Sequence, residues 1–221
     1  MSAPIETWVF DLDNTLYSAS TGVFAQIDAR MKAFIAREVG LSLDDAYALQ
    51  KKYFHAHGTT LRGLMLNHGT DPDAFLDFVH DIDHDILDAD HRLAAAIAAL
   101  PGRKLVFTNG TTHHAQRVLT RLKIEHLIDA IFDIRSAGYI PKPSAEPYHK
   151  IISEHGIAPH RAAMFEDSSA NLKPAADLGM KTIWVRHPTP VHRDSGNHDH
   201  CHYIIEDLTL WLETTALEIA N

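Results

Sequence analysis

Cysteine is almost absent. Cys201 is the only one in 221 residues, so no disulfide can form within the chain, and a reducing, cytoplasmic setting is expected. A surplus of positive charge is also missing. The net charge of −9 argues against a nucleic-acid polymer or an anionic membrane surface as partner. A small anionic ligand stays open, because a metal or a cluster of donors inverts the field locally. Long apolar runs are lacking as well: the longest, around Leu93 to Leu100, falls far short of the roughly 20 residues a membrane span needs. Met1-Ser2-Ala3-Pro4 has no basic segment leading into an apolar one, so no signal peptide is expected. No internal repeat or low-complexity segment is visible; the closest is the histidine-rich stretch His187 to His202. What is present, 45% hydrophobic and 22% charged residues, is ordinary for a soluble globular protein able to bury a full core.

Short β-rich apolar runs recur at Thr7–Phe10, Lys104–Phe107, Ala130–Ile134, Ala162–Phe165 and Thr182–Val185, with a weaker one at Tyr203–Ile205. Helical patterns separate most of them, such as His113–Leu122 and Ala145–His155, and a last amphipathic pattern runs from about Asp207 to Ile219. Strands alternating with helices predict an α/β fold built on a Rossmann-like parallel sheet. The exception follows the first strand. Helical patterns fill Val23–Val39, Leu43–His57, Leu61–Asn67 and Pro72–Val79, with Ser42 placed as an N-cap and Gly40, Gly58 and Gly69 as stops. So long a strand-free interval exceeds an ordinary crossover. It is expected to be an inserted helical unit, residues 18–87, with residues 1–17 and 88–221 forming the core.

The phrase Trp8-Val9-Phe10-Asp11-Leu12-Asp13-Asn14-Thr15 ends an apolar strand in two acids. Open α/β sheets place their sites at such carboxyl ends, and a turn at Asn14-Thr15 can bring both acids into one cavity, where one attacks and the other carries a proton. Three other strand ends face the same crevice. Thr108-Asn109-Gly110 offers a hydroxyl and backbone N–H donors to a phosphate, although it also suits a simple turn. Pro141-Lys142-Pro143 restricts the backbone around one lysine, a point charge for a phosphoryl group or an aspartate. Glu166-Asp167-Ser168-Ser169-Ala170-Asn171 carries adjacent acids off a buried strand, which is costly without a cation. One or two carboxylates beside a substrate phosphate suit Mg²⁺, while Asp167 or Ser168 also fits a helix cap.

In this order the four motifs resemble those of the haloacid dehalogenase superfamily, from Trp8 to about Val185, and the insert resembles that superfamily's C1-type cap. The resemblance implies Asp11 as nucleophile, phosphorylated in turnover, and Asp13 as acid then base. It implies Mg²⁺ held by Asp11, the Asp13 backbone carbonyl and Asp167, with Glu166 close by, and phosphoryl oxygens held by Thr108, the Asn109 N–H and Lys142. Dehalogenases of the superfamily lack the second aspartate, since a departing halide needs no proton; Asp13 therefore favours a phosphatase.

The first motif together with Gly58-Thr59-Thr60-Leu61-Arg62-Gly63-Leu64 resembles the pyrimidine 5′-nucleotidase group, which implies UMP and CMP as substrates. Arg62, with Thr59 and Thr60, is then the candidate specificity segment, and Tyr53, Phe54, His55 and His57 could supply a base platform. The alternatives are a phosphatase of another small ester, such as phosphoglycolate or a sugar phosphate, and a non-catalytic binding protein on the same fold. For His198, His200, Cys201 and His202 the spacing gives no second ligand pair for zinc, so a surface loop leading to an edge strand is expected.

Overall fold

The computed structural model describes residues 4–187 and 197–214. Among them, β1 (Thr7–Phe10), β2 (Arg103–Phe107), β3 (Ala130–Phe132), β4 (Ala162–Glu166), β5 (Lys181–Val185) and β6 (Tyr203–Ile205) form one sheet. Its order is β3-β2-β1-β4-β5-β6, and every neighbouring pair is parallel. The expected α/β, Rossmann-like core is therefore present. The chain winds outward from β1 through β2 to β3, then returns to β4 on the other side of β1. That reversal makes the carboxyl ends of β1, β2 and β4 neighbours around one crevice.

Both sheet faces are covered, which is why the central strands read as unbroken apolar runs. Trp8, Phe10, Val106, Ala163, Phe165, Ile183 and Val185 face one apolar cluster; Val9, Leu105, Phe107, Ala162, Met164 and Trp184 face the other. The helices α5 (His91–Ala99), α6 (Thr112–Leu122) and α9 (Leu208–Thr214) contribute Leu93, Val118 and Trp211 to the first. Tyr148 of α7 (Ala145–His155) and Leu172 of α8 (Ser169–Asp177) belong to the second. At the centre, Phe10 and Phe165 stack with ring centroids 4.7 Å apart.

Between β1 and α5 lie α1 (Val23–Val39), α2 (Leu43–His57), α3 (Thr60–His68) and α4 (Pro72–Val79), as the periodicity predicts. Ser42 caps α2 by accepting from the Asp45 N–H at 3.2 Å, and Gly40, Gly58 and Gly69 follow the last residues of α1, α2 and α3. Buried Ile27, Phe34, Leu64, Phe75 and Val79 of this insert join the same apolar cluster as the first sheet face. Where α3 crosses α2, a side chain on Gly63 would place its first carbon 2.4 Å from Tyr53 Cβ. Only glycine permits that approach.

The third strand is shorter than expected, ending at Phe132 rather than Ile134. The Asp133 carboxylate accepts from Thr112 N, Thr112 Oγ1 and Ser136 N at 2.8–2.9 Å, and Ile134 N donates to Gly110 O at 3.1 Å. These bonds turn the chain out of the sheet. The expected last helix is seen over Leu208–Thr214; residues 215–221, the first three residues, and 188–196 of the histidine-rich stretch lie outside the described residues. No described helix is long and apolar enough to cross a membrane.

Replacing Gly63 by alanine is expected to destabilise the protein by about 1–3 kcal/mol, the usual cost of overpacking a closed contact. Denaturant unfolding of the variant against the parent chain measures it, and an unchanged midpoint would remove the close approach from the account.

Candidate active site

Lys142 is the hub of the crevice. Its side chain is 1% exposed, and its ammonium donates to Asp11 Oδ1 at 2.7 Å, Glu166 Oε2 at 2.6 Å and Phe107 O at 2.8 Å. An ammonium has three N–H bonds, so all are committed and the direction of the side chain is set. Asn109 fastens the backbone beneath: its Oδ1 accepts from Lys142 N at 2.9 Å and its Nδ2 donates to Lys142 O at 3.4 Å. Asp11 N still donates to Phe165 O at 2.9 Å, so Asp11 leaves the sheet beside Glu166. Thr108 is buried, with Oγ1 accepting from Gly110 N at 2.9 Å.

The charges do not balance. Asp11, Glu166 and Asp167 bring ligand oxygens within 4.8 Å of one another, against the single Lys142 ammonium. Burial and the neighbouring Glu166 raise the Asp11 carboxyl to about 7, despite the opposing pull of Lys142. Burial, Glu166 and Asp11 likewise push Asp167 well above the usual carboxylate range. Burial alone would lower Lys142, but Asp11 and Glu166 outweigh it and hold the ammonium charged. An oxygen-only set with excess negative charge fits a hard divalent cation such as Mg²⁺. Glu166 is the least available donor, since its Oε1 also accepts from Asn171 Nδ2 at 3.1 Å.

Asp13 lies outside that carboxylate group. Its Oδ1 accepts from Tyr17 Oη at 2.5 Å and from His114 Nε2 at 2.8 Å, and 16% of its side chain is exposed. Burial pushes Asp13 upward, yet the adjacent His114, its hydrogen bond and that of Tyr17 prevail and bring it down to about 2. One strand end thus carries two aspartates driven in opposite directions. Sequence reasoning missed His114 and its neighbours His80 and His84: they stand 101, 67 and 71 positions from Asp13 in the chain, and only the Thr-Asn-Gly turn before α6 hinted at that place. Burial lowers His80 to about 3 and His84 to about 4.

The specificity segment is divided by the structure. Thr59 Oγ1 caps α3 by accepting from Arg62 N at 3.2 Å, and the buried Thr60 hydroxyl donates to Gln50 O at 3.2 Å. Both hydroxyls serve the junction between α2 and α3, whereas the half-buried Arg62 has no such tie through its side chain among the described residues. Gly58 lies against the lysine loop, its would-be side-chain carbon 3.5 Å from Lys142 O. Tyr53 is buried, bonded to His68 Nε2 at 2.7 Å; Phe54 and His57 are half-buried and His55 exposed. In the tail, His200 Nε2 meets Ser169 O at 2.7 Å and His202 Nδ1 meets Thr182 Oγ1 at 2.7 Å. Ser168 occupies the N-cap of α8 without a side-chain bond to it.

The raised Asp11 has a consequence for stability in protein stripped of divalent ions. Its folded value of about 7 lies above the ordinary 3.8, so between these the folded state keeps a proton that the unfolded chain has lost, and stability falls as pH rises through the window. His80 and His84, lowered from 6.5, act the other way below that pH. Asp11→Asn isolates the carboxyl: its stability relative to the parent chain should improve steadily from pH 5 to pH 7. Urea unfolding in chelator at several pH values measures the difference; a constant one would contradict the raised carboxyl.

A family pattern described as haloacid dehalogenase-like hydrolase matches residues 5–179. Phosphate metabolism protein 8 of Saccharomyces cerevisiae is 28% identical over an alignment of 192 residues that covers 79% of this chain; the chain spans only 60% of that relative's length. Enolase-phosphatase E1 of Frankia alni is 40% identical over 72 residues, covering 33% of this chain and 30% of its own. The crystal structure of an HAD phosphatase from Thermococcus onnurineus superposes with a TM-score of 0.63 over 95% of this chain and 96% of its own, at 15% identity, a likeness of fold. The matched span of the family pattern takes in the ends of β1, β2 and β4 and the Lys142 loop they surround, and the chain belongs to the haloacid dehalogenase-like hydrolases.

Proposed function

We propose that the chain is a Mg²⁺-dependent phosphomonoester hydrolase that works through an aspartyl-phosphate on Asp11, with the pyrimidine nucleoside monophosphates UMP and CMP as substrates. The observation that carries the reading is the division of labour at the end of β1. Asp11 is buried against an ammonium, at 2.7 Å, while Asp13 is held apart by Tyr17 and His114. In the metal-free site these settings favour a protonated Asp11 and an ionised Asp13. A cation held at Asp11 and Asp167 would lower the first, and a phosphate dianion beside Asp13 would raise the second, which brings each carboxyl to the form its role needs. Similarity to relatives named for phosphate metabolism and as an enolase-phosphatase supports phosphate-ester chemistry. Asp13 argues against halide release, which needs no proton.

In the first half-reaction an Asp11 carboxylate oxygen bonds to phosphorus as the ester P–O bond breaks, and Asp13 gives its proton to the departing alcohol oxygen. In the second, the ionised Asp13 takes a proton from water, the water oxygen bonds to phosphorus, and the Asp11–phosphorus bond breaks to release phosphate. Lys142, with every N–H committed, acts as a fixed positive charge that offsets Asp11 and the phosphoryl oxygens. Thr108 and the Asn109 N–H stand at the adjoining strand end as donors to those oxygens. Asp11, Asp167 and the Asp13 carbonyl, with Glu166 beside them, would hold Mg²⁺, which when bound supplies charge neutralisation and a template for in-line transfer.

Residues 18–87 are read as the cap over this site. The approach of Gly58 to the Lys142 loop supports that placement, and Arg62, four residues further on, is the residue proposed to meet the nucleotide. The Thr59 and Thr60 hydroxyls, occupied within the insert, are left out of that role.

Phosphate release from UMP, CMP, dUMP, AMP, GMP, phosphoglycolate and sugar phosphates, with and without Mg²⁺, tests the reading. Metal-dependent release favouring UMP and CMP is expected; a flat profile would reject the pyrimidine assignment, and no release from any of them would reject the phosphatase. Asp11→Asn should lower kcat on the order of 10⁴-fold while leaving the fold intact by circular dichroism. Arg62→Ala should raise KM for UMP about tenfold with a smaller change in kcat, the sign of lost uniform binding.

A further inference from the structure

Three histidines distant in sequence converge behind Asp13. His114, at the start of α6, is fully buried, and His84 and His80 are 1% and 8% exposed. His114 Nδ1 meets His84 Nε2 at 2.9 Å, and the His80 ring stacks on His114 with centroids 4.6 Å apart and planes at 10°. His80 is in turn held by Thr111 Oγ1 at 3.2 Å from its Nδ1. His80 and His84 both lie on the segment by which the insert returns from α4 to the core. So many polar rings are not gathered into an interior without compensation, since each buried nitrogen needs a partner.

The partners set the tautomers. His84 Nδ1 faces the Ile82 carbonyl at 3.2 Å, a group that only accepts. That nitrogen therefore carries the proton, and the neutral ring's Nε2 accepts. His114 Nδ1 must then be the donor to His84, which leaves His114 Nε2 pointing at Asp13 Oδ1. With Nδ1–H committed to His84, Nε2 donates to Oδ1 only from a doubly protonated ring, so His114 faces Asp13 as an imidazolium. The chain Ile82–His84–His114–Asp13 is complete with no nitrogen left over, and it ends on a single oxygen of the carboxylate.

We propose that His114, braced by His84 and His80, is a positioning residue that dedicates Asp13 Oδ1 to holding the carboxyl in place and leaves Oδ2 as the oxygen that exchanges protons with the leaving group and with water. Tyr17 Oη, at 2.5 Å, ends on the same Oδ1. A carboxylic acid protonated on Oδ2 keeps Oδ1 as its carbonyl oxygen, able to accept both bonds. When the O–H bond at Oδ2 breaks and its proton passes to the ester oxygen, the electron pair spreads over the carboxylate onto Oδ1, where both donors already stand. No group has to reorient as the charge develops, which is what preorganised donors contribute to a proton-transfer step. The inference rests on the reading of Asp13 as acid and base.

The test compares two phosphate esters: UMP, or the best alkyl ester from the panel above, and 4-nitrophenyl phosphate, whose leaving group departs without a proton. His114→Leu should lower kcat on the alkyl ester about thirtyfold, within the span of general acid catalysis, and on 4-nitrophenyl phosphate less than about threefold, with KM for each little changed. His114→Gln, which can present an N–H near the position of Nε2, should recover part of the loss. Adding His114→Leu to Asp13→Ala should cost nothing further on the alkyl ester. Should the leucine variant not fold, His114→Asn, polar but too short to reach Oδ1, carries the same comparison. Equal losses on both esters, or an added loss in the double variant, would overturn the proposal and leave the histidines as packing. If Asp13→Ala shows the leaving-group split and the His114 variants do not, only this inference falls. If Asp13→Ala itself lacks the split, the acid role of Asp13 fails and takes the inference with it.

Discussion

The rest of the site depends on one buried ammonium shared between two carboxylates. Lys142 reaches Asp11 from the end of β1 and Glu166 from the end of β4, strands that are hydrogen-bonded neighbours. Removing the cation would leave two acids facing each other in an interior where an unpaired charge is expensive. Much of the surrounding structure serves to deliver it. Pro141 and Pro143 stiffen its backbone, the Asn109 amide bonds it on both sides, and the Phe107 carbonyl takes the third N–H. The lysine joins strand ends that come from remote parts of the chain.

Asp13 shows the opposite arrangement two residues later. Its donors come from a turn and a helix rather than from strand ends: Tyr17 from the turn after β1 and His114 from α6. The first aspartate sits in a setting that resists ionisation, the second in one that favours it. Identical side chains are thus differentiated by their neighbours alone, and the difference follows from which secondary elements surround each one.

Local signals were readable in the sequence wherever the chemistry was local. The 3.6-residue spacing of Val23, Ile27, Phe34 and Ile35 marks α1, Ser42 and its Asp45 mark the start of α2, and the apolar runs mark β1 and β6 to the residue. The four strand-end motifs were legible because each is a contiguous phrase. What was hidden is tertiary. Nothing near Ile134 announces that Asp133 will bond α6 and end β3 early. Thr60 looks like a polar residue free for a ligand until α2 supplies Gln50 O as its acceptor. The histidines behind Asp13 come from two separate stretches, His80 and His84 from one and His114 from the other, and no periodicity joins the two.

The sheet order also has a consequence for how the molecule is made. β1 lies in the middle of the sheet, and its two partners begin at residues 103 and 162. At a synthesis rate of about 5–20 residues per second, Thr7 leaves the ribosome on the order of ten to thirty seconds before the strand carrying Ala162 exists. During that wait a strand with three apolar residues in a row, Trp8, Val9 and Phe10, all destined for the interior, has no completed sheet to join. The helices that follow it make contacts mostly among themselves and can form first. The strand that leads into both aspartates is therefore made well before either of its partner strands and is enclosed only after both have followed, an interval in which its apolar residues are exposed to aggregation.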